Sequence, residues 1–427
     1  RKIVEDNFRK GMIKVVVATP TLAAGVNLPA RTVVINNHIR YEPGYGRMEI
    51  PVLEYKQMAG RAGRPQYDTF GEALLVASSL DEQDYLMESY VCSEPERIWS
   101  KLAVERTLRV HVLASIASDI VKTESGLIEF FRQTFYAHQY GEKIIEKPLY
   151  TTLKYLAKND MVKYEGHHLT PTVFGRRVSE LYIDPETAVL IREGFDNKPK
   201  MLTEISLLHM ICHTPDLTPK LYPYRSEMGK LELFLDEHGD EFMFKPSDPL
   251  EDHVEYEAFL GELKCAQTLY YWIEEAKEND ILGHFRVEPG DLYRMVETGK
   301  WLLYATHELA KLFGYKELLP TIERLRYRVK YGVKPELLPL VSLEGVGRIR
   351  GRALSDSGYK SLEALKHASI SDLMKIPGIG QKLARRIKEQ VGGKIRREEL
   401  DEKVLEKTGV QESLESFAET NSGGTDL

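Results

Sequence analysis

The chain has 427 residues, 42% apolar and 29% charged, with a net charge of −7. That length exceeds one hydrophobic core, so the chain reads as several modules, and no stretch reaches the roughly eighteen apolar residues of a membrane helix. Cys92, Cys212 and Cys265 lie far apart without CxxC pairing, which excludes a disulfide framework and a zinc cluster and fits a reducing, intracellular setting. The chain opens on Arg1 and an amphipathic pattern rather than a signal peptide, so its start is read as a truncation.

The first ninety or so residues alternate helix-like and strand-like segments. A helix over 2–10 ends at Gly11, and Val15-Val16-Val17, Val33-Val34-Ile35 and Ala73-Leu74-Leu75-Val76 predict short strands of a parallel α/β sheet buried on both faces. Thr19 stands at the carboxyl end of the first strand, where parallel sheets place ligands. The turn through Gly25 and Asn27 that follows opens a helix whose free N–H groups can face phosphate. Further on, Gln57-Met58-Ala59-Gly60-Arg61-Ala62-Gly63-Arg64 puts two arginines three apart on one helix face, so that two guanidinium forks can aim at a triphosphate. Between these stretches a turn-rich excursion carries Tyr41 and Tyr45; by itself it is a loop.

Three helical patterns, over 108–122, 125–137 and 149–159, precede β-like runs around Gly166, which is the order of a winged-helix domain or of a small α+β domain without nucleic-acid contact. From 185 to about 333 the pattern is helical throughout. Its long helix near Asp291, a candidate N-cap, buries Leu292, Met295, Val296, Gly299, Leu303 and Leu309. Arg294, Thr298 and Trp301 share a second face, with Arg294 and Trp301 ~10 Å apart along the axis. A cation and an aromatic on an exposed stripe suit a single strand, phosphate to Arg294 and base to Trp301; a Trp packed in the core is the plainer alternative.

Residues 340–397 hold 13 Lys or Arg against 5 acidic residues, and residues 398–427 hold 9 acidic residues against 2 Lys. In the basic module Gly345-Val346-Gly347 and Gly378-Ile379-Gly380 each read as helix, glycine turn, helix. Such turns let backbone N–H groups hold a DNA phosphate without reading sequence. Arg348, Arg350, Arg352, Lys382, Arg385 and Arg386 add attraction. The acidic tail is expected to be disordered. His167-His168, and His209 with Cys212-His213, lack a complete ligand set, so no metal site is expected.

The stretches over 15–30 and 57–64 resemble motifs V and VI of superfamily-two helicases in their Ski-type form, carried by Gly25-Val26-Asn27-Leu28-Pro29-Ala30 and the Gln57 to Arg64 run. Residues 288–301 resemble the ratchet helix of archaeal Hjm-type DNA repair helicases and their animal HELQ relatives. The resemblance implies a multidomain chain: a partial RecA-like α/β lobe (1–92), a winged helix (93–184), an all-α ratchet domain (185–336) and a helix-hairpin-helix domain (337–397), before the tail (398–427). It implies a 3′ to 5′ ATP-dependent DNA helicase acting on branched or stalled forks in repair and recombination. Arg61 and Arg64 would then reach the γ-phosphate with Gln57 beside them, while Thr19, Gly25, Asn27 and Gly60 couple nucleotide state to the strand. The excursion would be a strand-separating hairpin stacking Tyr41 or Tyr45, and Arg294, Thr298 and Trp301 would contact the strand.

No GxxxxGK[ST] loop or DExH box occurs, and Asp236-Glu237-His238-Gly239 is only superficially similar to the latter. Both motifs are expected upstream of Arg1, in a lobe holding most of the ATP and Mg2+, so the fragment alone is expected to be inactive. The expected partners are single-stranded and branched DNA and replication or repair proteins, for a monomer without a membrane role. The expected location is cytoplasmic at an archaeal nucleoid, or nuclear in a eukaryote. The alternatives are a Ski-type RNA helicase and a passive DNA-binding adaptor.

Overall fold

The computed structural model describes residues 2–19, 30–42, 46–64 and 68–392. They fall into two compact units, one drawn from residues 2–103 with 133–142 and the other from residues 104–132 with 143–392. The acidic tail lies outside the described residues.

In the first unit, α1 (Lys2–Arg9) ends where Gly11 turns left-handed at φ 72°. Next come β1 (Thr32–Ile35), β2 (Ile39–Glu42), β3 (Gly46–Glu49), α2 (Val52–Ala59), β4 (Glu72–Leu75) and α3 (Leu80–Leu86). Strands β1 and β4 pair in parallel, Thr32 opposite Glu72 and Ile35 opposite Leu75. The turn-rich excursion is a β-hairpin, β2 antiparallel to β3 with Ile39 opposite Glu49. Ile35, Ile50, Tyr55, Leu86 and Tyr90 form the core.

Two expectations fail here. Val15–Val17 is not a strand, and Val17 is 96% exposed, because among the described residues no strand lies beside it to take its backbone hydrogen bonds. The parallel sheet is also not buried on both faces. Val34 and Leu74 are exposed, since among the described residues α2 and the side chains packed with it cover only one side.

The second unit begins with α4 (Glu105–Ala117), α5 (Glu124–Arg132), α6 (Glu142–Lys158), β5 (Val162–Glu165), β6 (His168–Pro171) and α7 (Val173–Leu181). The hairpin closes on Gly166-His167, with Gly166 at φ 66°, which sets Glu165 opposite His168. Helix α7 is capped by the Thr172 hydroxyl, which accepts from the Gly175 N–H at 3.0 Å. Gly175 is needed there, because a Cβ would sit 2.0 Å from the Met161 carbonyl oxygen.

The rest is helical: α8 (Pro185–Asp196), α9 (Glu204–His213), α10 (Arg225–His238), α11 (His253–Ile273), α12 (Glu278–Phe285), α13 (Pro289–Phe313) and α14 (Leu319–Tyr331). Helix α13 buries the stripe expected of it and packs along α14. Short helices α15 (Leu338–Val341), α16 (Arg348–Asp356), α17 (Leu362–His367), α18 (Ile370–Met374) and α19 (Gln381–Gln390) close round a core that includes Leu340, Leu354, Leu373 and Ile387. No helix among the described residues is long and apolar enough to cross a membrane.

Candidate functional site

Helix α2 stops at Gly60, and the N–H groups of Arg61 and Ala62 fold back on the carbonyls of Met58 and Ala59, each at 3.0 Å. Arg61 and Arg64 therefore occupy a turn past the helix, not one helix face as expected. A left-handed glycine and two tertiary contacts impose this shape. Gly63 sits at φ 95°, which a helix cannot include, and Gly71 packs so closely that a Cβ there would lie 2.4 Å from the Ala62 carbonyl carbon. Ala30 fixes the turn from the side: its N–H donates to the Arg61 carbonyl at 3.0 Å, and its own carbonyl accepts from Gly63 at 2.7 Å. The residue that closes the first motif is thus hydrogen-bonded to the arginine turn.

The Arg64 guanidinium grips Asp68 at two points, Nε to Oδ2 at 2.7 Å and Nη2 to Oδ1 at 2.9 Å. Those bonds hold the Asp68 carboxyl below the usual carboxylate range. Arg61 is half-buried, and Gln57 is exposed on the last turn of α2. Thr19 lies in an irregular segment. Gly25, Asn27 and Tyr45 lie outside the described residues, and Tyr41 is placed only through its backbone, opposite Arg47 in the hairpin.

Arg294, Thr298 and Trp301 do share one face of α13, but that face is half-covered where an exposed stripe was expected. The Trp301 indole N–H donates to the Leu181 carbonyl at 3.1 Å, and Arg294 donates to the Pro219 carbonyl at 3.1 Å. The cover is the Pro219 carbonyl at Arg294 and the end of α7 at Trp301; α7 is tied to α13 by the Arg177–Glu308 ion pair and the edge-on rings of Phe174 and Phe313, 5.0 Å apart. The N-cap also differs from expectation. It is Glu288, with Pro289 in the first helical position, and the Asp291 side chain reaches back to the Glu288 N–H at 3.4 Å.

The two glycine turns of the basic module are built alike. Gly345 and Gly378 are left-handed, at φ 83° and 78°, and Gly347 and Gly380 are the N-caps of α16 and α19. Arg350 ties the turns together, Nε donating to the Gly378 carbonyl at 2.8 Å and Nη1 to the Gly345 carbonyl at 2.9 Å. Three of the six candidate phosphate cations therefore face protein. Arg348 lies over the Trp272 ring at 4.5 Å and donates to the Ala276 carbonyl, and burial lowers its pKa. Arg352 is held by Glu275 at 2.7 Å and Glu336 at 2.9 Å. Sequence could not separate them, because charge counts do not say which way a helix turns. Lys382 and Arg386 are exposed and Arg385 is half-buried; with Gln381 and Glu389 they line one shallow depression, although Arg386 also pairs with Glu344 at 3.1 Å.

This division predicts different signatures. Lys382→Ala is expected to reduce the slope of log affinity for duplex DNA against log salt by about 0.9, one phosphate's worth. Arg350→Ala is expected to cost the module about 1–2 kcal/mol through two lost hydrogen bonds. Faster amide exchange across 337–392 would register that loss.

Three family descriptions match the chain: "Helicase conserved C-terminal domain" over residues 1–66, "Archaeal helicase, domain 4" over 205–332 and "SAM-like Helix-hairpin-helix tandem" over 337–392. The ATP-dependent DNA helicase Hel308 of Methanocella arvoryzae is 43% identical over 398 residues, 92% of this chain and 53% of the relative. The Hel308 proteins of Caldivirga maquilingensis (41% identical; 91% of this chain, 53% of the relative) and Pyrococcus abyssi (40%; 93% and 55%) are similar. The chain belongs to the archaeal Hel308-type helicase family. It spans about half the length of the Hel308 relatives it matches.

Within this Hel308-type chain, sequence reasoning missed a basic stripe. Lys143, Lys147, Tyr150, Thr151 and Lys154 line a shallow groove along α6 together with Glu146. Their spacing of three, four and seven was the available signal. Among the described residues no group of three His, Cys, Asp or Glu is placed to hold a metal. His209 is instead fully buried, 4.7 Å from the Phe242 ring and 4.8 Å from that of Phe259, and neither ring nitrogen has a hydrogen-bond partner. Burial pushes its pKa down to about 3. The unfolded chain protonates this histidine first as pH falls, so the stability it permits is full above pH ~6.5 and is lost below it. Going from pH 7 to pH 5 is expected to cost about 2 kcal/mol at this residue. Urea titrations at both pH values should show His209→Phe narrowing the gap.

Proposed function

We propose that the chain works within an ATP-dependent DNA helicase in which one unit answers to nucleotide and helps part the strands while the other holds DNA. The observation that carries this reading is the hydrogen-bonded pairing of Ala30 with the arginine turn at Arg61–Gly63, in a chain that also holds two matched glycine turns on a basic module. Arginine forks aimed at a triphosphate have a use only where nucleotide turnover is converted into something else, and the glycine turns offer a partner, DNA phosphate. Arg61 and Arg64 suit the γ-phosphate.

The finer assignments rest on the family resemblance. Residues 93–184 are read as a winged helix, supported by the order of α4, α5 and α6, then the β5–β6 hairpin and α7. The β2–β3 hairpin is read as the strand separator, α13 as the helix that holds the strand between steps, and branched or stalled forks as the substrate, unwound 3′ to 5′. The test is ATP hydrolysis by the full-length protein with single-stranded DNA, with RNA and with neither, followed by unwinding of duplexes with 3′ or 5′ tails. Stimulation by DNA and a 3′-tail requirement are expected. Stimulation by RNA alone would move the enzyme to the RNA branch, and no hydrolysis in any arm would leave a DNA-binding adaptor.

A further inference from the structure

Tyr182 has an unusual setting. It is 83% exposed, between Leu181 at 5% and Ile183 at 1%. Its backbone is left-handed, at φ 59° and ψ 22°, in the position that ends α7 and that glycine ordinarily takes. A bulky residue persists in such a conformation only where its surroundings impose it, and positions of this kind cluster at functional sites.

The surroundings here are rigid. The Asp184 N–H donates to Asp216 at 2.8 Å, the Asp184 carboxylate accepts from the Glu186 N–H at 2.9 Å and from Arg109 at 3.3 Å, and Arg106 ties Asp216 at 2.7 Å. Leu181, the residue just before Tyr182, supplies the carbonyl that takes the Trp301 indole N–H. The left-handed turn therefore brings an aromatic ring into solvent one residue from the anchor of Trp301.

We infer that Tyr182 is a second base-stacking residue, continuing along the single strand the contact made by Trp301. The inference rests on the reading that the Arg294–Trp301 face of α13 meets that strand. A ring fixed on a rigid corner loses little freedom when a base stacks on it, and stacking tolerates any base, as a translocating enzyme requires. Tyr182 thereby extends the strand path from α13 onto the end of α7.

The test uses the full-length helicase, a fluorescent oligo(dT) strand and thermal melting. Tyr182→Ala is expected to weaken strand binding about tenfold, Tyr182→Phe to restore it, and Tyr182→Gly to weaken it while raising the melting temperature, because glycine accepts the left-handed backbone. Trp301→Ala, run beside them, reports on the underlying reading. If Trp301→Ala weakens binding and Tyr182→Ala does not, the strand misses Tyr182 and the inference fails alone. If neither matters, the strand does not cross this face at all. A lowered melting temperature in Tyr182→Ala would mean that the ring packs against protein, and an equal loss in Tyr182→Phe would assign the effect to the hydroxyl; either overturns the stacking role.

Discussion

Arg64→Ala in the full-length protein is expected to lower DNA-stimulated ATP turnover by about 10³-fold, with the fall in kcat and little change in the KM for ATP. The split follows from what the residue can do. In the loose transition state of phosphoryl transfer negative charge builds on the leaving oxygen, so a guanidinium placed at the β,γ-bridge acts mostly there and little on the bound substrate. The structure holds the side chain in place. Gly63 and Ala30 fix the backbone of the turn, and Asp68 holds the fork at two points before any nucleotide arrives. Arg64→Lys should be nearly as damaged, since an ammonium has no fork to match Asp68 on one side and phosphate on the other. Asp68→Asn should lose only about tenfold, because one acceptor remains to orient the arginine. An Arg64→Ala enzyme that kept turnover within about threefold of the parent would remove Arg64 from the site.

What the sequence made legible, and what it hid, follow from the range of the interactions involved. The glycine turns were readable because their signal is local: a residue without Cβ is placed where φ is positive, and Gly345 and Gly378 sit there. The buried stripe of α13 was readable from its period alone. The orientation of the cations was not. Arg348, Arg350 and Arg352 alternate along a basic stretch much as phosphate-binding residues would, yet each finds its partner 5 to 77 residues away in sequence. The arginine motif was recognised but its shape was misjudged, because the helix ends on contacts with Ala30 and Gly71 that no local pattern carries. Tyr182 was invisible for the same reason. Its exposure depends on a left-handed turn imposed by buried neighbours, in a sequence that offers no glycine to announce it.

Trp301→Ala in the full-length protein is expected to cut fork unwinding about 10- to 100-fold, the value of one base–aromatic contact, while ATP binding without DNA changes far less. The half-covered setting of Trp301 makes a single variant ambiguous, because the indole also anchors the end of α7 through the Leu181 carbonyl. Losing that hydrogen bond is worth about 1 kcal/mol of stability, which alone could loosen α7. Trp301→Phe separates the two effects, since it keeps a ring to stack on and removes the N–H that anchors. If stacking dominates, Trp301→Phe should unwind within a few-fold of the parent and melt at a lower temperature, whereas Trp301→Ala should lose both. If anchoring dominates, the two variants should fail together, and Arg177→Ala, which removes the neighbouring tie between α7 and α13 at Glu308 without touching the aromatic, should fail with them. Equal losses of unwinding and DNA-independent ATP binding in Trp301→Ala would return the residue to the core and leave the strand path to Arg294 alone.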